Sequence, residues 1–140
     1  MSLPDPNRRR GFTLIEVLLV LVILVVLASL TVTAYGRIQR RAMMNAAKAK
    51  IGALKTSLGA YQTDIGSYPT TEQGLAALAQ APADLPDPAR WTGYVEGQEA
   101  LLDPWGRQFQ YACPGNHNPD LYDLWTVAPD GQEVGNWIGQ

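Results

Sequence analysis

A single carboxylate interrupts an otherwise apolar stretch near the start of this 140-residue chain. Glu16 stands directly before a run from Val17 to Leu30 in which Ser29 is the sole polar side chain. An unpaired carboxylate at membrane depth costs about 2.5 kcal/mol or more, so such residues are functional candidates by default. Glu16 is therefore the first candidate functional residue of this chain.

The element that must carry Glu16 is a long apolar helix. Residues 12–35 number 24, and as a helix they would span about 36 Å at roughly 1.5 Å per residue. That length crosses a hydrocarbon core of about 30 Å with some tilt. The arginines at positions 8–10 place the N-terminal side in the cytoplasm by the positive-inside rule, and the residues after Gly36 on the opposite side.

The order of these residues argues against a secretory signal peptide. Such a peptide has a small-residue cleavage site after its apolar core. In this chain the small residue, Gly11, precedes the apolar run, and the weak site Leu27-Ala28-Ser29 lies inside the run. A plain membrane anchor remains an alternative, although it leaves Glu16 unexplained.

A basic run, Gly11, then Phe12-Thr13-Leu14-Ile15-Glu16 and an apolar helix together resemble the leader of the type IV pilin-like superfamily. The resemblance implies that a prepilin peptidase cuts between Gly11 and Phe12 and methylates the new amine of Phe12. It also implies that Glu16 helps to order subunits in a helical filament. A carboxylate beside a neighbouring subunit's N-terminal ammonium would neutralise two charges that an apolar filament core penalises.

The length and composition of the chain indicate one globular domain plus a membrane anchor. Residues 1–11 hold Asp5 and three arginines, and the remainder carries 12 acidic and 8 basic side chains. This balance argues against nucleic-acid binding, which needs a basic surface. Cys113 is the only cysteine, so an intrachain disulfide is impossible, and a small exported domain must be stapled by a metal or a partner instead.

Periodicity predicts the elements after the membrane segment. Thr70 and Gln73 have capping-box spacing for a short helix from Thr71 to about Gln80. Alternating side chains predict strands at 107–112 and 121–127. The expected fold class is α+β, type IV pilin-like, with a long N-terminal helix packed by a short helix and a small C-terminal antiparallel sheet. One apolar stripe at steps of three and four continues the long helix, and the sheet is expected to cover it: Met44, Ala47, Ile51, Leu54, Leu58 and Tyr61.

Three further motifs narrow the resemblance within the superfamily. They are Tyr68-Pro69-Thr70-Thr71-Glu72-Gln73-Gly74-Leu75, Asp103-Pro104-Trp105-Gly106 and Gly135-Asn136-Trp137. All three are similar to the major pseudopilin family of type II secretion systems. The residues themselves are typical of turns, caps and aromatic core. This interpretation has two alternatives. The first is a surface type IV pilin, and the missing disulfide pair argues against it. The second is a membrane-tethered binding module.

The resemblance implies that three segments of the chain have different roles. Residues 1–11 would be a cleaved leader, residues 12–35 the transmembrane and filament-core part, and residues 36–140 a periplasmic domain. The subunit would be stored in the inner membrane as a single-pass protein and would polymerise with itself into a periplasmic pseudopilus that drives protein export across the outer membrane. Its partners would be the prepilin peptidase, minor pseudopilins and the inner-membrane assembly platform.

Calcium is a further implication of the resemblance. In the family a C-terminal loop after an Asp-Gly pair binds Ca²⁺ through carboxylates and carbonyls, as a hard cation requires. Here Asp130-Gly131 matches the first carboxylate, and Val127 would offer its carbonyl oxygen. The loop is shorter than in the family and continues only as Gln132-Glu133-Val134. The alternative is a closed β-turn that needs no metal.

Enzymatic readings find little support. The only histidine, His117, lies in a turn-rich stretch and has Asp120 and Asp123 as possible partners, but no serine or cysteine has the spacing of a catalytic triad. Cys113 precedes Pro114 and is interpreted as a small buried apolar residue. We therefore expect no catalytic activity.

Overall fold

A computed structural model describes residues 11–137, apart from the side chains of residues 30–34. Its elements are helix α1 (Leu14–Ile65), the single-turn helix α2 (Ala76–Ala79) and strands β1 (Gln110–Ala112), β2 (Asp123–Val127) and β3 (Glu133–Gly135). One long helix followed by a short helix and a small sheet confirms the α+β prediction. The chain divides into two compact units between Gln39 and Arg40.

The N-terminal unit contains the first part of α1. Thr13 caps this helix, because its hydroxyl oxygen accepts the backbone N–H of Glu16 at 3.3 Å. The hydroxyl of Ser29, the sole polar side chain of the apolar run, donates to the carbonyl of Val26 at 2.8 Å within the same helix. No helix is both long and apolar enough to cross a membrane among the described residues. Part of the predicted membrane segment, the side chains of residues 30–34, lies outside them, as do residues 8–10.

The C-terminal unit is built on the predicted apolar stripe of α1. Ala47, Leu54, Leu58 and Tyr61 are almost completely buried, and Met44 is half-buried. The same core includes apolar residues of α2, β2, β3 and the connecting loops: Leu75, Leu78, Leu85, Leu101, Phe109, Leu124 and Val134. The sheet therefore covers the stripe together with long loops, rather than by itself.

The sheet is antiparallel in the order β1-β2-β3. Tyr111 pairs with Leu124, and Thr126 pairs with Val134. Both predicted strands exist but are shorter than expected. The third strand was not predicted, since Glu133–Gly135 is too short to display an alternating pattern.

The predicted helix from Thr71 to Gln80 is wrong in its first half. The capping box does form: Thr70 Oγ1 accepts the Gln73 N–H at 3.2 Å, and Gln73 Oε1 accepts the Thr70 N–H at 3.0 Å. However, Gly74 has φ +58°, a left-handed conformation that ends the turn, so α2 begins only at Ala76.

The loop between Tyr68 and Leu75 is attached to the end of β1. The Tyr111 hydroxyl donates to the carbonyl of Pro69 at 2.8 Å. The Cys113 N–H donates to Thr71 Oγ1 at 2.9 Å. These bonds explain why this motif combines turn residues with a threonine. Cys113 packs against the core but is half-buried rather than buried.

Candidate functional site

Three of the predicted site residues lie together at the start of α1. Gly11 and Phe12 precede the helix, and the Phe12 side chain is 84 % exposed. Glu16 lies in the first helical turn and is exposed. A carboxylate at this position is favoured by the partial positive charge of the helix N-terminus. The end of the helix thus presents a free aromatic residue and a negative charge within one turn of each other.

The helix surface that follows is apolar on every side and exposed. Among the large apolar side chains from Leu14 to Leu27, even the least exposed, Ile23, is 49 % exposed. A helix that is apolar all round is normally buried in lipid or protein, and contiguous exposed patches of this size mark interaction surfaces. The exposed apolar surface of this unit is therefore a candidate interaction surface.

The other predicted site lies in the turn between β2 and β3. The turn is closed by backbone bonds from the Ala128 N–H to the Gln132 carbonyl at 2.8 Å and from the Gly131 N–H to the Ala128 carbonyl at 2.9 Å. Gly131 has φ +85°, which favours glycine. Asp130 Oδ1 accepts the Gln132 N–H at 3.1 Å.

Both predicted calcium ligands lie beside arginines. The Arg40 guanidinium forms an ion pair with Asp130 Oδ2 and also donates to Gln132 Oε1 at 3.3 Å. The Arg107 guanidinium donates to the carbonyl oxygen of Val127. No group of three or more histidine, cysteine or acidic side chains is placed to hold a metal ion in the described part of the chain.

The position of Arg107 is set by Asp103, a residue whose role the sequence did not reveal. The buried Asp103 carboxylate accepts the backbone N–H groups of Trp105 and Arg107, each at 2.9 Å, and the Thr126 hydroxyl at 2.5 Å. Burial by itself would raise the pKa of Asp103, but these hydrogen bonds and the Arg107 charge outweigh it and lower the pKa. Asp103 therefore stays ionised and holds the turn that carries Arg107.

A second buried carboxylate, Asp123, organises the loop before β2. It accepts the backbone N–H groups of His117 at 2.8 Å and Asn118 at 3.0 Å, and the Asn118 side-chain amide at 2.9 Å. Burial opposes its ionisation, yet the bonds from His117 and Asn118 lower the pKa of Asp123. The His117 ring lies 3.1 Å from the carboxylate and stacks on Trp137 at 3.9 Å. Of the two predicted partners of His117, Asp123 is the observed one, and its buried carboxylate serves to close the loop.

Two family models match this chain. The model described as type II secretion system (T2SS), protein G, matches residues 35–138, and the model described as prokaryotic N-terminal methylation motif matches residues 6–32. The second match includes Gly11, Phe12 and Glu16.

Individual proteins are similar over nearly the whole chain. The type II secretion system core protein G of Pseudomonas aeruginosa is 38 % identical, with 94 % of this chain and 96 % of that protein covered. The protein of the same description from Dickeya chrysanthemi is 40 % identical, with 94 % and 88 % covered. The crystal structure of the major pseudopilin from the type 2 secretion system of enterohaemorrhagic Escherichia coli superposes with a TM-score of 0.60 at 31 % identity, covering 72 % of this chain and 91 % of that one.

Proposed function

This chain belongs to the type II secretion system protein G family, and we propose that it polymerises through the first part of α1 into a pseudopilus. The observation that carries the proposal is the apolar helix surface from Leu14 to Leu27, which is exposed on every side. Burying this surface between subunits would supply the driving force of assembly. The protein is the major structural subunit of the type II secretion pseudopilus and acts by its shape rather than by catalysis.

Processing would occur between Gly11 and Phe12, with methylation of the new amine of Phe12. Two features support this position. Both residues are exposed and precede the helix, so that the peptide bond between them is outside regular structure. Thr13 supplies the helix cap from within the mature part, and removal of residues 1–11 therefore leaves the start of α1 intact.

Glu16 would set the register of the subunits. Its carboxylate is exposed on an otherwise apolar surface, and assembly would desolvate it. A buried charge is tolerated when it is paired and hydrogen-bonded, and the amine of Phe12 of a neighbouring subunit is a suitable cation. An incorrectly placed subunit would leave Glu16 unpaired, and that cost would select one arrangement.

Before assembly the subunit would be stored in the inner membrane. Residues 12–35 would be the anchor, with the N-terminus in the cytoplasm and residues 36–140 in the periplasm. The partners would be further copies of this chain, the prepilin peptidase, minor pseudopilins, the inner-membrane assembly platform and lipid. The apolar composition of residues 17–30 and the basic residues 8–10 support this topology.

The intact mass of the membrane-extracted full chain, expressed with and without a prepilin peptidase, tests this proposal. With the peptidase, the expected product begins at Phe12 and carries one additional methyl group. Without it, the mass of the chain from Met1 is expected. An unprocessed chain in the presence of an active peptidase, checked on a second pilin-like substrate, would contradict the assembly proposal.

A further inference from the structure

Cations of the protein itself occupy the positions that a metal would need in the turn between β2 and β3. Two oxygen atoms there have the chemistry of calcium ligands, Asp130 Oδ2 and the Val127 carbonyl. Each of them accepts an arginine guanidinium, Arg40 on the carboxylate and Arg107 on the carbonyl. The two arginines are far apart in the chain, so folding alone brings them to this turn.

The donor set of this turn does not fit calcium. Ca²⁺ takes six to eight oxygen ligands, drawn from carboxylates, backbone or amide carbonyls and water. The second oxygen of Asp130 accepts the Gln132 N–H at 3.1 Å, and Glu133 is an exposed β3 residue paired with Val127 in the sheet register. A divalent cation at Asp130 and Val127 would also lie next to two positive guanidinium groups, and that repulsion opposes binding.

We propose that Arg40 and Arg107 take the place of a divalent cation, so that the turn between β2 and β3 is held closed without calcium. Arg40 ties the turn to α1 through Asp130 and Gln132. Arg107 ties it to residues 103–107, the Asp103 turn, because the buried Asp103 carboxylate accepts the Arg107 N–H at 2.9 Å and lies 3.5 Å from its guanidinium.

The two arginines are expected to contribute unequally. The Arg40 side chain is 60 % exposed and that of Asp130 is 35 % exposed, and exposed ion pairs are individually weak. Arg107 instead interacts with a fully buried carboxylate and a backbone carbonyl. Loss of Arg40 should therefore open the turn locally, whereas loss of Arg107 should also disturb the Asp103 turn.

The first experiment measures calcium dependence on the full chain in detergent micelles. Thermal unfolding is followed by tryptophan fluorescence in EDTA and in about 1 mM CaCl₂, a concentration at which extracellular calcium modules are occupied. Because a ligand that binds only the folded state raises its stability, an unchanged Tm is the expected result. A Tm that rises by several degrees with calcium would overturn the proposal.

The second experiment is a double-mutant cycle on the Arg40–Asp130 pair, read out by hydrogen exchange of the amides of residue 128 and residues 130–132. Arg40→Gln and Asp130→Asn should each accelerate exchange severalfold, and the double variant should exchange no faster than either single variant. The matched control is Arg41→Gln, since Arg41 is exposed on the same helix and has no ion pair among the described residues.

Two outcomes of the cycle would contradict the proposal. Unchanged exchange in both single variants would show that the ion pair does not hold the turn. Additive acceleration would show that the two side chains act independently. Neither readout depends on processing or polymerisation, so the proposal and the assembly function can fail separately.

Discussion

The two units of this molecule differ in how far their apolar side chains are buried. From Leu14 to Leu27 the large apolar side chains are all about half exposed or more, whereas Leu54 and Leu58 of the same helix are 2 % and 0 % exposed. The first segment is apolar on every side, whereas Leu54 and Leu58 belong to a single apolar stripe. The C-terminal unit therefore buries its apolar surface within one chain, while the N-terminal surface stays exposed and is the one that we propose lipid or other subunits cover.

Polar groups differ between the units as well. Asp103 and Asp123 are buried and surrounded by donors from the same chain. Glu16 is exposed among apolar residues. The two buried carboxylates therefore stabilise the fold, whereas Glu16 makes no such contribution and is the carboxylate that we propose acts in assembly. Four measurements test this contrast, beginning with the largest expected effect.

Replacing Glu16 by leucine should abolish filament formation without changing the fold of the C-terminal unit. The substitution removes the charge that would pair with the Phe12 amine of a neighbour, so the register is no longer selected. Electron microscopy of cells overexpressing the subunit measures filaments, and thermal unfolding of the extracted chain measures the fold. Glu16→Asp, which keeps the charge, should retain partial assembly. Normal filaments from Glu16→Leu would refute the role of this carboxylate.

Two leucine-to-alanine substitutions on the same helix should have different effects on stability. Leu58→Ala removes a fully buried side chain and should lower the free energy of unfolding by about 2–5 kcal/mol. Leu21→Ala, at a position 57 % exposed, should leave the free energy of unfolding of the detergent-solubilised chain unchanged. Urea unfolding followed by tryptophan fluorescence compares them. Equal losses in both variants would mean that the two segments share one core.

Asp103→Asn should destabilise the C-terminal unit by about 1–3 kcal/mol, because it weakens acceptors for buried donors. The variant keeps the size of the side chain but cannot accept all the bonds from Trp105, Arg107 and Thr126. The same urea titration measures the loss. Asp120→Asn is the control, since Asp120 is exposed. An unchanged free energy of unfolding in both variants would show that Asp103 does not stabilise the turn that carries Arg107.

The smallest effect should be a loss of stability in acid. Folding lowers the pKa values of Asp103 and Asp123, so the unfolded chain binds more protons. Their contribution is complete above the ordinary aspartate pKa of about 3.9 and is lost as the pH falls through the folded-state values. Urea titrations at several pH values should show a decline that is reduced in Asp123→Asn. A free energy of unfolding that stays constant as the pH falls below about 3.9 would contradict the lowered pKa values of Asp103 and Asp123.

Local patterns predicted a large part of the fold. The stripe at steps of three and four correctly marked the buried face of α1, because helical periodicity depends only on neighbouring turns. The capping box of Thr70 and Gln73 formed as predicted. The predicted short helix after it is longer than the observed one, because a periodic pattern does not reveal the left-handed backbone conformation of Gly74.

Contacts between distant residues were not predictable in the same way. Arg40 donates to Gln132 across 92 positions of the chain, and Thr126 donates to Asp103 across 23. The Asp103-Pro104-Trp105-Gly106 motif indicated a turn, but the burial of its carboxylate depends on where β2 packs. The sequence likewise identified Asp130 and Val127 as oxygen ligands for a cation, but it did not identify Arg40 and Arg107 as the side chains that contact them.

The sequence by itself determined the apolar segment, the place of Glu16 within it, the order of the two helices and the first two strands, and the buried stripe, because each follows from short-range spacing and side-chain chemistry. Only the tertiary structure decided which carboxylates are buried and which cations meet Asp130 and Val127. The physical reason is that the cost of burying a charge depends on every group packed around it, and those groups come from α1, the Asp103 turn and β2 together.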